Sequence, residues 1–319
     1  MATMTFLEAR NRAITEAMAS DPNTIIIGGF SGPGAPEGGY GKAFGNKRVR
    51  AAPISEEGFA GVAVGAALYG LRPVVGFGNA SFMFDAWEPV LNEASLLRYM
   101  SGGQFEVPIV LHMLIGLRAG WAAQHSQASQ AMLCNAPGLV VVAPGTPAGA
   151  YELMRAAIAS NDPVVYVDAP TLHDEAGDVA LGAEVRPVRA RVLRAGTDVT
   201  LVAVSSMVPR ALRIAERLAA EGVSVEVVDP QVLSPLDRTG ILASVARTGH
   251  LVAVDEGQLS CGVASEIVAS VSEQGFDLLK AAPRRVAIPD IPVPPGPTQI
   301  EVATPNEARI EGAIRAVLD

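Results

Sequence analysis

The sequence contains only two cysteines, Cys134 and Cys261, among its 319 residues. Two thiols cannot build a framework of several disulfides or a cysteine-rich metal cluster, so a reducing compartment, the cytoplasm, is expected. Basic residues are also scarce, because 24 Lys and Arg face 33 Asp and Glu and give a net charge of −9. This balance argues against a nucleic-acid-binding protein and against a polybasic membrane-surface protein.

Long hydrophobic runs are missing as well, although 49% of the residues are hydrophobic and only 18% are charged. The longest apolar stretches, 58–71 and 107–117, are too short for a membrane span. The first residues carry charges where a signal peptide would be apolar. A low charge content without a membrane span favours burial against other subunits, because obligate interfaces resemble a protein core.

Short apolar segments alternate with longer segments of helical character along the first half of the chain. Thr5 and Glu8 have the spacing of a capping box that opens the first helix. Strands that are apolar on both faces and separated by helices predict an α/β fold with a parallel sheet covered on both sides. We expect one domain over 1–175, a polar linker over 176–197 and a second α/β domain over 198–319.

Two strand-to-helix junctions carry side chains that could do chemistry, Glu56 with Glu57 at one and His125 at the other. Acidic residues in a first helical turn also stabilise the helix dipole, and polar residues at such a junction also cap helices. A carboxylate or an imidazole at the carboxyl edge of a parallel sheet can instead serve a bound ligand. Spacing alone leaves both interpretations open. We expect His112 to be a core residue and His173 a surface residue.

Seven segments, spread over nearly the whole chain, carry a family resemblance: PISEEGFAGVAVGAALYGLRPVV, LRYMSGGQFEVPIV, AAQHSQ, PGLVVVAPGTP, NDPVVYVD, VDPQVLSPLD and LVAVDEG. In content and order they resemble the beta subunit of the decarboxylating component of 2-oxo acid dehydrogenase complexes. That family includes pyruvate, branched-chain and acetoin dehydrogenases. The resemblance implies a thiamine-diphosphate pyrimidine-binding domain followed by a transketolase-like C-terminal domain.

The resemblance also assigns roles to particular residues. Glu56 is expected to hydrogen-bond to a ring nitrogen of the cofactor's pyrimidine and to favour its imino tautomer. Phe82 is expected to pack on that ring, and His125 to face the substrate and the incoming lipoyl group. The implied reaction is decarboxylation of a 2-oxo acid with acyl transfer to lipoamide. A potassium ion bound by backbone carbonyls is implied at Ile109, Ala157, Ser160 and Asp162.

The sequence contains no Gly-Asp-Gly motif, which in this family binds the pyrophosphate and magnesium on the alpha subunit. The resemblance therefore implies an alpha-type partner that shares the cofactor, in an α2β2 heterotetramer. Gly28-Gly29-Phe30 stands where the family has Gly-Glu, and Ala80-Ser81-Phe82 replaces the family's Phe-Asn-Phe. These departures leave two alternatives open, one half of a split transketolase or carboligase of specialised metabolism, and a non-catalytic scaffold.

Overall fold

The computed structural model describes residues 1–29, 39–116, 120–185 and 188–319. Its strands are β1 Ala2–Thr5, β2 Thr24–Gly28, β3 Val49–Arg50, β4 Arg72–Asn79, β5 Val110–Leu114, β6 Val140–Val142, β7 Val164–Asp168, β8 Ala176–Val179, β9 Arg191–Arg194, β10 Val199–Ala203, β11 Val225–Asp229, β12 Val232–Ser234, β13 Leu251–Gln258 and β14 Arg284–Ile288. Its α-helices are α1 Phe6–Ser20, α2 Gly39–Phe44, α3 Glu56–Leu68, α4 Leu97–Met100, α5 Ala122–His125, α6 Gln130–Cys134, α7 Pro147–Ala159, α8 Met207–Ala219, α9 Arg238–Thr248, α10 Val263–Gln274, α11 Pro297–Ala303 and α12 Glu307–Leu318. No helix in the described ranges is both long enough and apolar enough to cross a membrane.

The chain forms two compact units. The first contains 1–115, 132–142 and 147–187, and the second contains 116–131, 143–146 and 188–319. The segment 116–131 therefore belongs to the second unit, although it lies between two strands of the first unit in sequence. The stretch expected as a linker, 176–197, holds the short strands β8 and β9.

The first unit is built on a parallel sheet in the order β6-β7-β5-β4-β2-β3. Every residue of β2 and of β7 is buried, as the mainly apolar strands in the sequence predict for all but the terminal Asp168. A separate antiparallel pair joins β1 to β8. The predicted α/β class with a parallel sheet is confirmed for this unit.

The second unit has its own sheet in the order β14-β13-β10-β11-β9. All neighbours are parallel except β9, which runs antiparallel to β11. Apolar side chains of the sheet and of its helices form a common core, in which Leu201 of β10, Ile214 of α8 and Ile310 of α12 are fully buried. The second α/β domain that the sequence predicts is therefore present.

The capping box at the start of α1 is confirmed in atomic detail. The Thr5 hydroxyl accepts the Glu8 backbone N–H at 3.2 Å, and the Thr5 N–H donates to the Glu8 carboxylate at 2.8 Å. We expect Thr5→Ala to lower the free energy of unfolding by about 1 kcal/mol, because a helix N–H loses its partner. Urea denaturation measures this effect. Thr15→Ala, at an exposed position within the same helix, is the control and should raise stability by a few tenths of a kcal/mol, because alanine has the higher helix propensity. Equal effects of the two substitutions would show that the cap does not stabilise α1.

Candidate functional site

The carboxyl edge of the first sheet has the topology at which α/β proteins bind ligands. From β2 the chain continues to β3 on one side, whereas from β4 it continues to β5 on the other side. The ends of the adjacent strands β2 and β4 therefore border a crevice at a topological switch point. Two of the predicted site residues lie on the segments that leave this edge, Glu56 after β3 and Phe82 after β4.

Glu56 is the first residue of α3 and lies in the turn whose backbone N–H groups have no partner within the helix. Its side chain is half-buried, whereas the neighbouring Glu57 is exposed. Ser55 occupies the N-cap position, but its side chain makes no capping hydrogen bond. The capping interpretation of this junction therefore does not apply to Ser55, and Glu56 is the acidic group with a partly desolvated environment.

Phe82 lies in the 3-10 helix Ala80–Ala86 and is half-buried. Gly78, with φ of +73°, lies beside the Phe82 ring. A Cβ at position 78 would be 3.6 Å from that ring, and glycine leaves the volume of this Cβ empty. Gly28 at the end of β2 allows a close backbone approach, since a Cβ there would be 2.5 Å from the Gly76 carbonyl oxygen. The Ser81 hydroxyl oxygen is buried and has no hydrogen-bond partner among the described residues. An aromatic face, room beside it and an unsatisfied hydroxyl together fit a flat heteroaromatic ring.

His125 ends the short helix α5 in the second unit and is half-buried. Its ring centroid lies 5.9 Å from that of Trp121. Ala122, at the start of α5, has φ of 55°, a left-handed conformation that is strained for a residue with a Cβ and that is enriched at functional sites. The hydroxyl oxygens of Ser126 and Ser129 are buried without a hydrogen-bond partner among the described residues. His125 thus lies in a segment that is rich in unsatisfied polar groups.

The four positions implied for potassium have backbone carbonyls that already accept hydrogen bonds. The Ile109 carbonyl accepts a strand N–H at 2.9 Å, and the Ala157 carbonyl accepts the Ser160 N–H at 3.3 Å. The Ser160 carbonyl accepts an Arg72 guanidinium N–H at 2.8 Å, and the Asp162 carbonyl accepts the Ser160 hydroxyl at 3.0 Å. A carbonyl oxygen has two lone pairs, so these bonds leave capacity for a cation.

Sequence reasoning missed a buried charge network around Asp168, the last residue of β7. The Asp168 carboxylate is fully buried, forms an ion pair with the fully buried Arg10 and accepts hydrogen bonds from His112 and His173 at 2.9 Å each. Burial alone would raise the pKa of Asp168, but Arg10 and the two histidines outweigh burial and hold the pKa well below its usual range. The signal in the sequence is Arg10 itself, an arginine on the apolar face of α1.

The predictions for the two histidines differ in their outcome. His112 is 3% exposed, so the expected core position is confirmed. The expectation that His173 is a surface residue is wrong, because its side chain is only 20% exposed and is bonded to Asp168. A histidine in a polar segment lacks a local sign of burial, and its partner lies at the end of a strand. Of Gly28-Gly29-Phe30, which stands where the family has Gly-Glu, the first two residues are described and Phe30 lies outside the described residues.

Comparison with known proteins agrees with this architecture. The chain matches the model of the transketolase pyrimidine-binding domain at residues 2–168 and that of the transketolase C-terminal domain at residues 188–310. The fold and the two matching family models therefore define a transketolase-like protein. A solved structure described as a split gene transketolase, an inactive beta4 tetramer, matches with a TM-score of 0.81 and covers 99% of this chain and 98% of that one. At 24% identity this similarity concerns the fold.

Curated relatives narrow the class to a family. The beta subunit of acetoin:2,6-dichlorophenolindophenol oxidoreductase from Cupriavidus necator is 37% identical over 97% of this chain and 96% of its own length. The pyruvate dehydrogenase E1 component subunit beta-1, mitochondrial, of Arabidopsis thaliana is 41% identical over 98% of this chain and 88% of its own length. The chain belongs to this family of dehydrogenase beta subunits, which confirms the resemblance seen in the sequence.

Proposed function

We propose that the chain is the beta subunit of a two-chain, thiamine-diphosphate-dependent enzyme that decarboxylates a 2-oxo acid and transfers the acyl group to a lipoyl-bearing partner. The observation that carries the proposal is that Glu56 and Phe82 lie on segments that leave the same carboxyl edge of the first sheet, Glu56 after β3 and Phe82 after β4. Sequence similarity to dehydrogenase beta subunits over nearly the full chain supports the same reaction class.

The residues of the crevice fit the pyrimidine ring of thiamine diphosphate. When bound, the cofactor supplies a nucleophilic carbon for the decarboxylation. Glu56 would hold a proton that it shares with a ring nitrogen of the bound pyrimidine. Phe82 offers its ring face for stacking, and the Ser81 hydroxyl gains a polar partner. His125 serves proton transfer and hydrogen bonding toward the substrate.

The proposal requires an alpha-type subunit that holds the pyrophosphate and magnesium, because this sequence has no Gly-Asp-Gly motif. We assign the outer face of α3 to this contact. Val62 is 66% exposed and Tyr69, directly after the helix, is 94% exposed. A Cβ at Gly61 or Gly65 would meet no described atom within 4 Å, so another helix could approach the backbone closely here. An exposed apolar face of this kind is typical of a subunit interface.

Val62→Lys is expected to abolish co-purification with the alpha-type subunit, because a lysine would be buried without a partner at the contact. The free energy of unfolding of the isolated chain should change by less than about 0.5 kcal/mol, since position 62 is exposed. Val302→Lys, at a position of 70% exposure on α11, is the matched control. If both variants retain the partner equally well, α3 is not part of the interface.

The function itself is tested by reconstitution with an alpha-type subunit that carries the Gly-Asp-Gly motif. The assay uses an artificial electron acceptor. It measures the decarboxylation of pyruvate and of branched-chain 2-oxo acids, and the cleavage of acetoin. Turnover is expected only when both chains, thiamine diphosphate and magnesium are present. Turnover by this chain alone would contradict the proposal, and a product with a new carbon–carbon bond would identify a carboligase. Absence of cofactor binding in calorimetry would identify a scaffold.

A potassium ion at Ile109, Ala157, Ser160 and Asp162 is the finer part of the proposal. An ion that binds only the folded chain stabilises it by mass action. We therefore expect the unfolding temperature to rise by at least ~2 °C when 100 mM NaCl is replaced by KCl at equal ionic strength. Differential scanning calorimetry of the isolated chain provides the measurement. Identical unfolding temperatures in the two salts would exclude a selective potassium site.

A cytoplasmic location is likewise proposed, on the scarcity of cysteine alone.

A further inference from the structure

The segment that carries His125 is attached to the second unit at three places within its described residues. A Cβ at Gly116 would lie 2.7 Å from a carboxylate oxygen of Glu256, so the Glu256 side chain leaves room only for glycine at this position. The Gly120 N–H donates to the Pro295 carbonyl at 3.1 Å. These contacts fasten the beginning of the segment.

The end of the segment is fastened by a neighbouring carboxyl group. The side-chain amide of Gln130 donates to the Asp255 carboxylate at 2.9 Å, and Gln130 and Asp255 are both fully buried. Asp255 directly precedes Glu256 in β13, so one of two consecutive strand residues bonds to Gln130 and the other lies against the backbone at Gly116. The Ser206 hydroxyl donates to Glu256, which is 2% exposed, and thereby orients it.

Two adjacent buried carboxyl groups are an expensive arrangement for a fold. Desolvation penalises each charge, and neighbouring like charges repel, so apolar residues at these two positions would give a more stable strand. The two carboxyl groups are explained if the contacts that they make with the His125 segment are needed. We propose that Asp255 and Glu256 are positioning residues, Asp255 through its bond to Gln130 (the clamp) and Glu256 through its packing at Gly116, and that they thereby fix His125. This inference rests on the role of His125 in the proposed function.

The clamp at Asp255 is also expected to respond to pH. Burial and the charge of Glu256 raise the pKa of Asp255 to about 7. Hydrogen bonds from the Gly257 N–H, the Gln130 amide and the Val263 N–H lower this pKa but do not outweigh the two causes that raise it. An opened segment would expose Asp255 to water, where its pKa is near the ordinary value of 3.8. Because the closed form binds the proton more tightly, the clamp is firmest while Asp255 is protonated and weakens as the pH rises toward and through 7.

Trp121 offers a direct probe of the segment. It is 49% exposed, and the chain has one other tryptophan, Trp87, which lies in the first unit. In a Trp87→Phe background, acrylamide quenching of the full chain reports Trp121 alone and needs neither cofactor nor partner. We expect Asp255→Ala to increase the quenching constant at pH 6 at least twofold. Asp255→Asn, which mimics the protonated carboxyl, should keep the wild-type constant at pH 6 and should remove the increase that wild type shows between pH 6 and pH 8.

Asp229→Ala is the matched control. Asp229 is also fully buried in the second unit, burial raises its pKa to about 7, and its carboxylate accepts the Gln231 N–H at 3.0 Å. The control should destabilise the unit without changing the quenching of Trp121. Equal quenching in Asp255→Ala and Asp229→Ala would overturn the inference. If Asp255→Ala does not fold, Gln130→Leu removes the same contact from the side of the segment and is measured in the same way.

Activity gives an independent readout in the reconstituted enzyme. Asp255→Ala should lower kcat by about 10-fold or more, because a displaced His125 no longer meets the reacting groups, while the Kd for thiamine diphosphate stays within about twofold. Asp255→Asn should restore kcat. Failure of the reconstitution itself would contradict the proposed function, whereas an unchanged Trp121 signal would contradict the clamp, so the two failures are distinguishable.

Discussion

Glu56→Gln is expected to reduce the turnover of the reconstituted two-chain enzyme by about 100-fold to 10,000-fold, the range of general acid–base catalysis. Glutamine has nearly the same shape as glutamate, so α3 and the crevice should keep their structure. An amide cannot hold the shared proton at the cofactor's ring nitrogen, and the imino tautomer would lose its support. The loss should therefore appear in kcat, with the subunits still assembled.

Glu57→Gln is the control for this prediction. Glu57 lies in the same helical turn, loses the same formal charge and is exposed rather than half-buried. Its activity should remain within about twofold of wild type, as for most exposed substitutions. Steady-state decarboxylation rates and calorimetric titration with thiamine diphosphate provide the measurements. If Glu56→Gln is as active as Glu57→Gln, Glu56 has no role in proton transfer and the proposed function loses its main support.

Arg10→Met is expected to lower the free energy of unfolding of the first unit by about 3–5 kcal/mol. The substitution leaves the Asp168 carboxylate buried without the arginine that neutralises it. His112 and His173 remain as hydrogen-bond donors but compensate only in part. Arg12→Met is the matched control, because the Arg12–Glu16 pair lies at the surface of the same helix and such i,i+4 pairs contribute about 0.3–0.5 kcal/mol. Urea denaturation followed by circular dichroism compares the two variants.

The same network predicts the acid sensitivity of the first unit. The folded-state pKa of Asp168 is lowered, so its contribution to stability is present above the ordinary value of 3.8 and is lost as the pH falls below that value. Arg10→Met removes the main opposing charge and should make stability less dependent on pH in this acidic range. Parallel pH profiles for wild type and Arg10→Met would show that the histidines, rather than Arg10, keep Asp168 ionised.

The sequence determines the local structure, because capping residues and the pattern of apolar residues act between positions that are close in the chain. The Thr5–Glu8 spacing predicts the start of α1, and the mainly apolar strands predict a parallel sheet. The junction before Glu56 places this residue at the edge where ligands gather. Family resemblance then supplies the roles of Glu56, Phe82 and His125, which stay predictions until activity is measured.

Only the tertiary structure decided which distant residues meet. Arg10 and Asp168 are 158 positions apart, and no periodicity of apolar residues connects them. Gly120 and Gln130 come after a strand of the first unit in sequence, yet they bond to Pro295 and Asp255 of the second unit. Hydrophobic patterns specify which face of an element is buried, whereas the partner of a buried polar group depends on how the elements pack in three dimensions.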